Sequence, residues 1–69
     1  MELKEVFVCT IKCFYLHHLR KESYQNYDNY PTKEEIINQI NFLNQVYPES
    51  KDLRKTVNVE KILNVIEYK

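Results

Sequence analysis

Residues 6–16 form the most apolar stretch of the chain and read VFVCTIKCFYL. Apolar side chains recur at alternate positions within it, most regularly at Phe7, Cys9, Ile11, Cys13 and Tyr15. Alternation with a period of two is typical of a β-strand, whereas a helix would scatter these side chains around its whole circumference. The pattern therefore predicts a strand that buries its odd-numbered face.

The next segment, residues 19–30, is polar and contains three tyrosines beside turn-forming Asn and Asp residues. It predicts a returning strand over about residues 21–27, joined to the first strand through a hairpin connection at residues 17–20. The chain has no glycine. We therefore expect any turn position with a positive φ to be filled by Asn or Asp.

Residues 31–47 show a clear helical pattern. Thr32 and Glu35 stand at the spacing of a capping box, and Pro48 follows the last apolar position. Apolar side chains recur at helical spacing at Ile36, Ile40, Leu43 and Tyr47, with Ile37 and Val46 widening the stripe. The sequence predicts a helix over about residues 33–47, with its intervening polar side chains in water: Asn38, Gln39, Asn41, Asn44 and Gln45.

The C-terminal segment has two interpretations. Six of the eleven residues from 56 to 66 are β-branched, which favours a strand, yet its apolar residues also fit a helix capped by Asn58. We favour the strand, because a hairpin and one helix need a third strand to complete a small sheet. The predicted fold is a single α+β domain over residues 1–69 with the order ββαβ, and a C-terminal helix remains the alternative.

Composition limits the function. With 69 residues and 8.5 kDa, the chain has material for one small core. The absence of glycine argues against phosphate-cradling loops and nucleophile elbows, and no catalytic carboxylate pair or triad is recognisable. Ten basic and ten acidic residues balance along the chain as well as in total, so no basic stripe for nucleic acid is visible. We expect no enzymatic activity and no cofactor.

Cys9, Cys13 and His17 recur at four-residue intervals and have the side-chain types that bind zinc. On a strand, residues four apart are separated by about 13 Å, which is too far for them to share a zinc ion. We expect no metal site. Free buried thiols that act as small apolar side chains are the favoured interpretation.

Two groups of residues are candidates for binding a partner. Tyr24, Tyr27 and Tyr30 offer large amphipathic side chains, and the segment around His17, His18 and Arg20 is the most basic patch. The sequence predicts a non-enzymatic accessory or inhibitory protein that binds another protein or associates with itself. The alternative is a small DNA- or RNA-binding regulator that uses the three tyrosines, residues 17–21 and three basic residues near the C-terminus: Lys51, Arg54 and Lys55. A purely structural component is a third possibility.

The sequence also carries indications of location and origin. It has no apolar run of membrane-spanning length, and Glu2 and Glu5 occupy positions where a signal peptide has basic residues. We therefore expect a cytoplasmic protein without a membrane partner. The high content of Lys, Asn, Ile and Tyr is typical of an AT-rich coding sequence and indicates a low-GC bacterium, its phage or another mobile element.

Overall fold

The computed structural model describes residues 2–66 and the side-chain surroundings of residues 4–63. It contains a three-stranded antiparallel sheet, one α-helix and a short 3₁₀ helix. In chain order these elements are β1 (Glu2–Tyr15), β2 (His18–Tyr27), α1 (Lys33–Val46), the 3₁₀ helix (Pro48–Asp52) and β3 (Arg54–Ile66). The predicted ββαβ order is confirmed, and the C-terminal segment is the strand rather than the helix.

The first strand lies in the middle of the sheet, because the strand order is β2-β1-β3. Its odd-numbered face lies under the helix, where Cys9, Ile11 and Cys13 are fully buried and pack with Leu43 in the core. The predicted burial is therefore confirmed for these three strand residues, whereas Tyr15, expected on the same buried face, is 57% exposed because it is the last residue of the strand, next to the turn. The opposite face, called the open face below, has no second layer of described residues over it.

A two-residue turn, Leu16–His17, connects β1 to β2, and Leu16 has a φ of 56°. A positive φ at the first central position alone is the pattern of a type II′ turn, whose twist matches that of the flanking strands. Two expectations are corrected here. The second strand begins at His18 because the turn is this tight, and the positive φ falls on a leucine rather than on Asn or Asp.

The helix begins with the predicted capping box. The Glu35 backbone N–H donates to Thr32 Oγ1 at 3.1 Å, and the Thr32 N–H donates to Glu35 Oε1 at 3.0 Å. The helix ends at Val46, one residue earlier than predicted, with Tyr47 as its C-cap. The wider apolar stripe is only partly buried, because Ile37 and Val46 remain exposed.

Gln39 was expected in water and is instead buried, with 7% of its surface exposed. Its position follows from helical geometry, since it lies one turn before Leu43 on the side of the helix that faces β2. Gln39 Nε2 donates to the Cys9 carbonyl oxygen at 3.1 Å and to Ser23 Oγ at 3.3 Å, and Gln39 Oε1 accepts from the Tyr27 hydroxyl at 3.1 Å. These bonds tie the helix to both β1 and β2. Asn44 is also half-buried, and it accepts a hydrogen bond from Ser50 Oγ.

Candidate functional site

The antiparallel topology brings two distant parts of the sequence together at one end of the sheet. We call this region the hairpin end and define it as residues 14–21 together with residues 47–55. Phe14 of the central strand pairs with Leu19 on one side and with Arg54 on the other. Phe14 and Arg54, which are forty positions apart in sequence, therefore belong to one continuous surface.

This folding also separates charges that are balanced along the sequence. Thr10, Tyr24 and Asn58 pair across the middle of the sheet and divide it into two halves. The half that contains the hairpin end carries six basic and three acidic residues: Lys12, Arg20, Lys21, Lys51, Arg54 and Lys55 against Glu22, Glu49 and Asp52. Among the described residues of the far half the numbers are reversed: Lys4, Lys33 and Lys61 against Glu2, Glu5, Asp28, Glu34, Glu35 and Glu60. The molecule is therefore electrically polarised along its strands.

Three of the cations at the hairpin end interact with their own chain. The Arg54 guanidinium lies 5.2 Å from the centre of the Phe14 ring, and Lys21 Nζ lies 5.7 Å from the centre of the Tyr47 ring. Lys55 Nζ donates hydrogen bonds to the Ser50 and Leu53 carbonyl oxygens. These contacts place the three cations against the protein surface, where they contribute positive charge.

Three of the predicted binding residues lie on the solvent-facing surface of the hairpin end. His17, His18 and Arg20 are exposed, so the structure brings together these three predicted binding residues. Arg20 also lines a cavity of about 240 Å³ formed with Tyr15, Tyr47, Glu49 and Leu53.

Large apolar side chains lie exposed among these cations. The exposed fractions are 57% for Tyr15, 71% for Leu16 and 48% for Leu19. These three side chains are not among the binding residues predicted from the sequence, because the apolar pattern assigns Tyr15 and Leu16 to the first strand and gives Leu19 no role. Only the folded structure identifies them as exposed, because they lie at or next to the turn at Leu16, beyond the buried part of the sheet.

The three predicted tyrosines lie in different surroundings. Tyr24 is exposed, and its hydroxyl donates to the Glu22 carboxylate, a hydrogen bond that raises the pKa of Tyr24. Tyr27 is half-buried against the core, and burial raises its pKa. Both line a cavity of about 320 Å³ between β2 and α1. Tyr30 is exposed in the far half, where its ring meets Phe7 edge-to-face at 5.7 Å. The tyrosines therefore do not form one continuous platform.

The two thiols lie in the core, away from the hairpin end surface. Cys9 and Cys13 are free cysteines with no exposed surface, and burial raises the pKa of both thiols. Within the part of the chain that the structure describes, no three His, Cys, Asp or Glu side chains cluster as metal ligands would. The predicted absence of a metal remains a prediction, which metal analysis of the purified protein tests.

Comparison of the chain with protein-family models, with curated proteins and with solved structures finds no match. Over the described residues, no helix has both the length and the apolar character needed to cross a membrane.

Proposed function

We propose that this chain is a non-enzymatic accessory or inhibitory protein that binds an acidic surface of another protein through its hairpin end. The observation that carries the proposal is the mixture of exposed apolar and cationic groups there: Tyr15, Leu16 and Leu19 beside His17, His18 and Arg20. Aromatic and arginine side chains commonly supply most of the energy of a protein interface. The excess of basic residues in this half selects for a partner of opposite charge.

A protein partner fits the site better than a nucleic acid does. Binding along a phosphate backbone relies on several Lys and Arg side chains free of nearby acidic groups, and here three acidic residues lie among the six basic ones: Glu22, Glu49 and Asp52. Exposed leucines contribute nothing to phosphate recognition but fit the apolar centre of a protein interface. DNA or RNA binding is the second candidate, favoured by the gathering of six basic residues in one half of the molecule.

The test is affinity capture from a lysate of the source cell, with and without nuclease treatment, followed by mass spectrometry. The informative variant is Arg20→Glu with Lys51→Glu, which reverses two exposed charges at the hairpin end. The matched control is Lys4→Glu with Lys33→Glu, which changes the net charge equally in the far half. Lys4 pairs with Asp28 at 2.7 Å on the surface, an interaction of small energy, so the control variant is expected to fold.

We expect one stoichiometric protein that is retained after nuclease treatment, lost with the hairpin-end variant and kept by the control. Recovery that disappears with nuclease would replace this proposal by nucleic-acid binding. Equal loss with both variants would show that the hairpin end is not the binding surface.

The proposal also covers the organism that encodes the protein and the cellular compartment in which it acts. The composition rich in Lys, Asn, Ile and Tyr supports a phage or another mobile element of a low-GC bacterium as the source. The small size and the surface suited to binding fit an accessory or inhibitory role inside the host cytoplasm. Fractionation of the source cell tests the compartment.

A further inference from the structure

One residue interrupts the pairing of the first two strands. Lys21 of β2 pairs with Cys13. Leu19, two positions earlier, pairs with Phe14, the neighbour of Cys13. Arg20 therefore lies between two paired residues and has no partner of its own on β1. One extra residue in an antiparallel pair is a β-bulge, which bends the strand, changes the direction of a side chain and is frequent beside functional sites.

The bulge determines the face of the sheet on which Arg20 lies. Lys21 shares the helix face with Cys13, so strict alternation would place residue 20 on the open face. Instead, Arg20 lines the cavity of about 240 Å³ with Tyr47 and Leu53, both of which pack against the core on the helix side. Lys21 Nζ lies over the Tyr47 ring on the same side. Two successive residues of β2 therefore place their cations on the helix side of the sheet.

The cavity combines apolar walls with a guanidinium. Tyr15, Tyr47 and Leu53 supply the apolar surface, and Arg20 and Glu49 supply one charge of each sign. Three ion pairs form in the part of the chain that the structure describes, and neither Arg20 nor Glu49 takes part in one. No described carboxylate therefore holds the guanidinium in place.

The volume of the cavity limits what it accepts. Sites for small molecules usually enclose about 300–1,000 Å³, and this cavity is smaller, at about 240 Å³. A space of this size suits a single side chain, and side chains that fill such pockets commonly dominate the energy of protein interfaces. An acidic side chain fits both properties of the cavity. Its methylene groups lie against apolar walls, and its carboxylate accepts two parallel hydrogen bonds from a guanidinium.

We propose that this cavity binds the carboxylate of one acidic side chain of the protein partner, and that the bulge sets Arg20 in position to receive it. The inference rests on the proposed function, since it takes the partner to present an acidic surface. Lys21 adds positive charge beside the Tyr47 ring. Glu49 repels the incoming carboxylate, so its neutralisation strengthens binding.

NMR titration of the isotope-labelled full chain with a blocked amino acid tests the site without the partner. The probe is N-acetylglutamate α-amide, whose side-chain carboxylate is its only charge, and the neutral probe is N-acetylglutamine α-amide. We expect the glutamate probe to shift the amide signals of Arg20, Lys21 and Glu49 and to bind about tenfold more tightly than the glutamine probe. Absence of binding, equal binding of the two probes, or shifts elsewhere on the molecule would overturn the proposal.

Two variants separate the position of the arginine from its charge. Arg20→Gln and Arg54→Gln each remove one positive charge from the hairpin end, but Arg54 lies on the open face, where it pairs with Phe14. We expect Arg20→Gln to abolish the preference for the glutamate probe and Arg54→Gln to retain it, whereas Glu49→Gln should increase it. Equal loss with both arginine variants would count against a defined site, because general charge would then attract the probe.

An exchange of neighbouring residues tests the role of the bulge. Leu19→Arg with Arg20→Leu keeps the net charge and moves the arginine to the position opposite Phe14 on the open face. We expect this variant to lose the preference for the glutamate probe, with the dispersion of its amide spectrum showing that it is folded. A folded variant that keeps the preference would show that the bulge does not position the arginine.

These titrations and the capture experiment fail separately. If a captured partner is lost with the charge-reversal variant of Arg20 and Lys51, but the chain does not prefer the glutamate probe, the proposed function stands and the carboxylate site is wrong. If the chain prefers the glutamate probe, but no partner binds at the hairpin end, the carboxylate site is supported and the proposed function is wrong.

Discussion

At the scale of single residues, Leu16 and Gln39 show that position in the fold outweighs residue type. Leu16 adopts a positive φ that leucine accepts at a cost of about 1 to 2 kcal/mol, because the two-residue turn requires it there. Gln39 is a polar residue within the core, where it makes hydrogen bonds that an apolar side chain would lack. Neither follows from residue type, since an apolar residue normally avoids this backbone conformation and an amide normally faces water.

The turn conformation predicts that Leu16→Gly stabilises the fold. Glycine removes the steric cost of the positive φ, and we expect a gain of about 1 kcal/mol in the free energy of unfolding after its extra backbone entropy is included. Urea denaturation measures the gain. Leu16→Val is the control and should be destabilising, because a β-branched side chain tolerates this conformation less well. A loss of stability with Leu16→Gly would contradict the assigned turn.

The hydrogen bonds of the Gln39 side-chain amide predict that Gln39→Met lowers the stability of the fold. This change keeps the volume but removes the shorter of the two hydrogen bonds of the Tyr27 hydroxyl and the bonds that Gln39 donates to Ser23 and Cys9, so we expect a loss of about 1 to 3 kcal/mol in urea denaturation. Gln45→Met changes an exposed residue of the same helix and should cost much less. If both variants were equally stable, the network would not hold the helix on the sheet.

The buried thiols predict a loss of stability in alkaline solution. Burial raises the pKa of Cys9 and of Cys13 above the ordinary value of a thiol, so the folded state disfavours the thiolates. Their contribution is fully present below the thiol pKa of the unfolded chain and is lost as pH rises through the folded pKa. The thermal midpoint should therefore fall in alkaline solution. It should fall less steeply in the double variant Cys9→Ala with Cys13→Ala, and identical profiles would rule out this cause.

At the scale of elements, strong local signals predicted the fold correctly. Alternation of apolar residues identified β1 and its buried face, and the capping box of Thr32 and Glu35 located the start of the helix. The boundaries of β2 were less predictable, because its polar sequence has no clear period and the turn at Leu16 has no characteristic residue. The exposure of Ile37 depends on where the helix lies over the sheet, which a periodic pattern alone does not specify.

The contacts of the helix predict that alanine substitution of two isoleucines one turn apart, Ile37 and Ile40, lowers stability by different amounts. Ile40 packs against the core, and Ile40→Ala should cost about 2 to 5 kcal/mol in the free energy of unfolding. Ile37 is exposed, so Ile37→Ala should stay within about 1 kcal/mol of the wild type. Thermal and urea denaturation compare the two variants. The reverse order would mean that the helix is rotated from the orientation described here.

At the scale of the whole molecule, the decisive property is the separation of charge. Sequence reasoning found local balance and could not predict the polarisation, since it arises only when antiparallel pairing sets residues 14–21 beside residues 47–55. It did identify His17, His18 and Arg20, which the structure gathers at the hairpin end. The exposed Tyr15, Leu16 and Leu19 complete that surface and became visible only in the folded chain.

The central claim is that the hairpin end binds the partner, and amide NMR of the isotope-labelled chain tests it most directly. After addition of the captured partner, we expect signal changes and broadening at residues 15–21 and 47–55, with the far half of the sheet little affected. Changes concentrated around Tyr24 and Tyr30, with residues 15–21 unaffected, would contradict the claim and place the binding surface elsewhere.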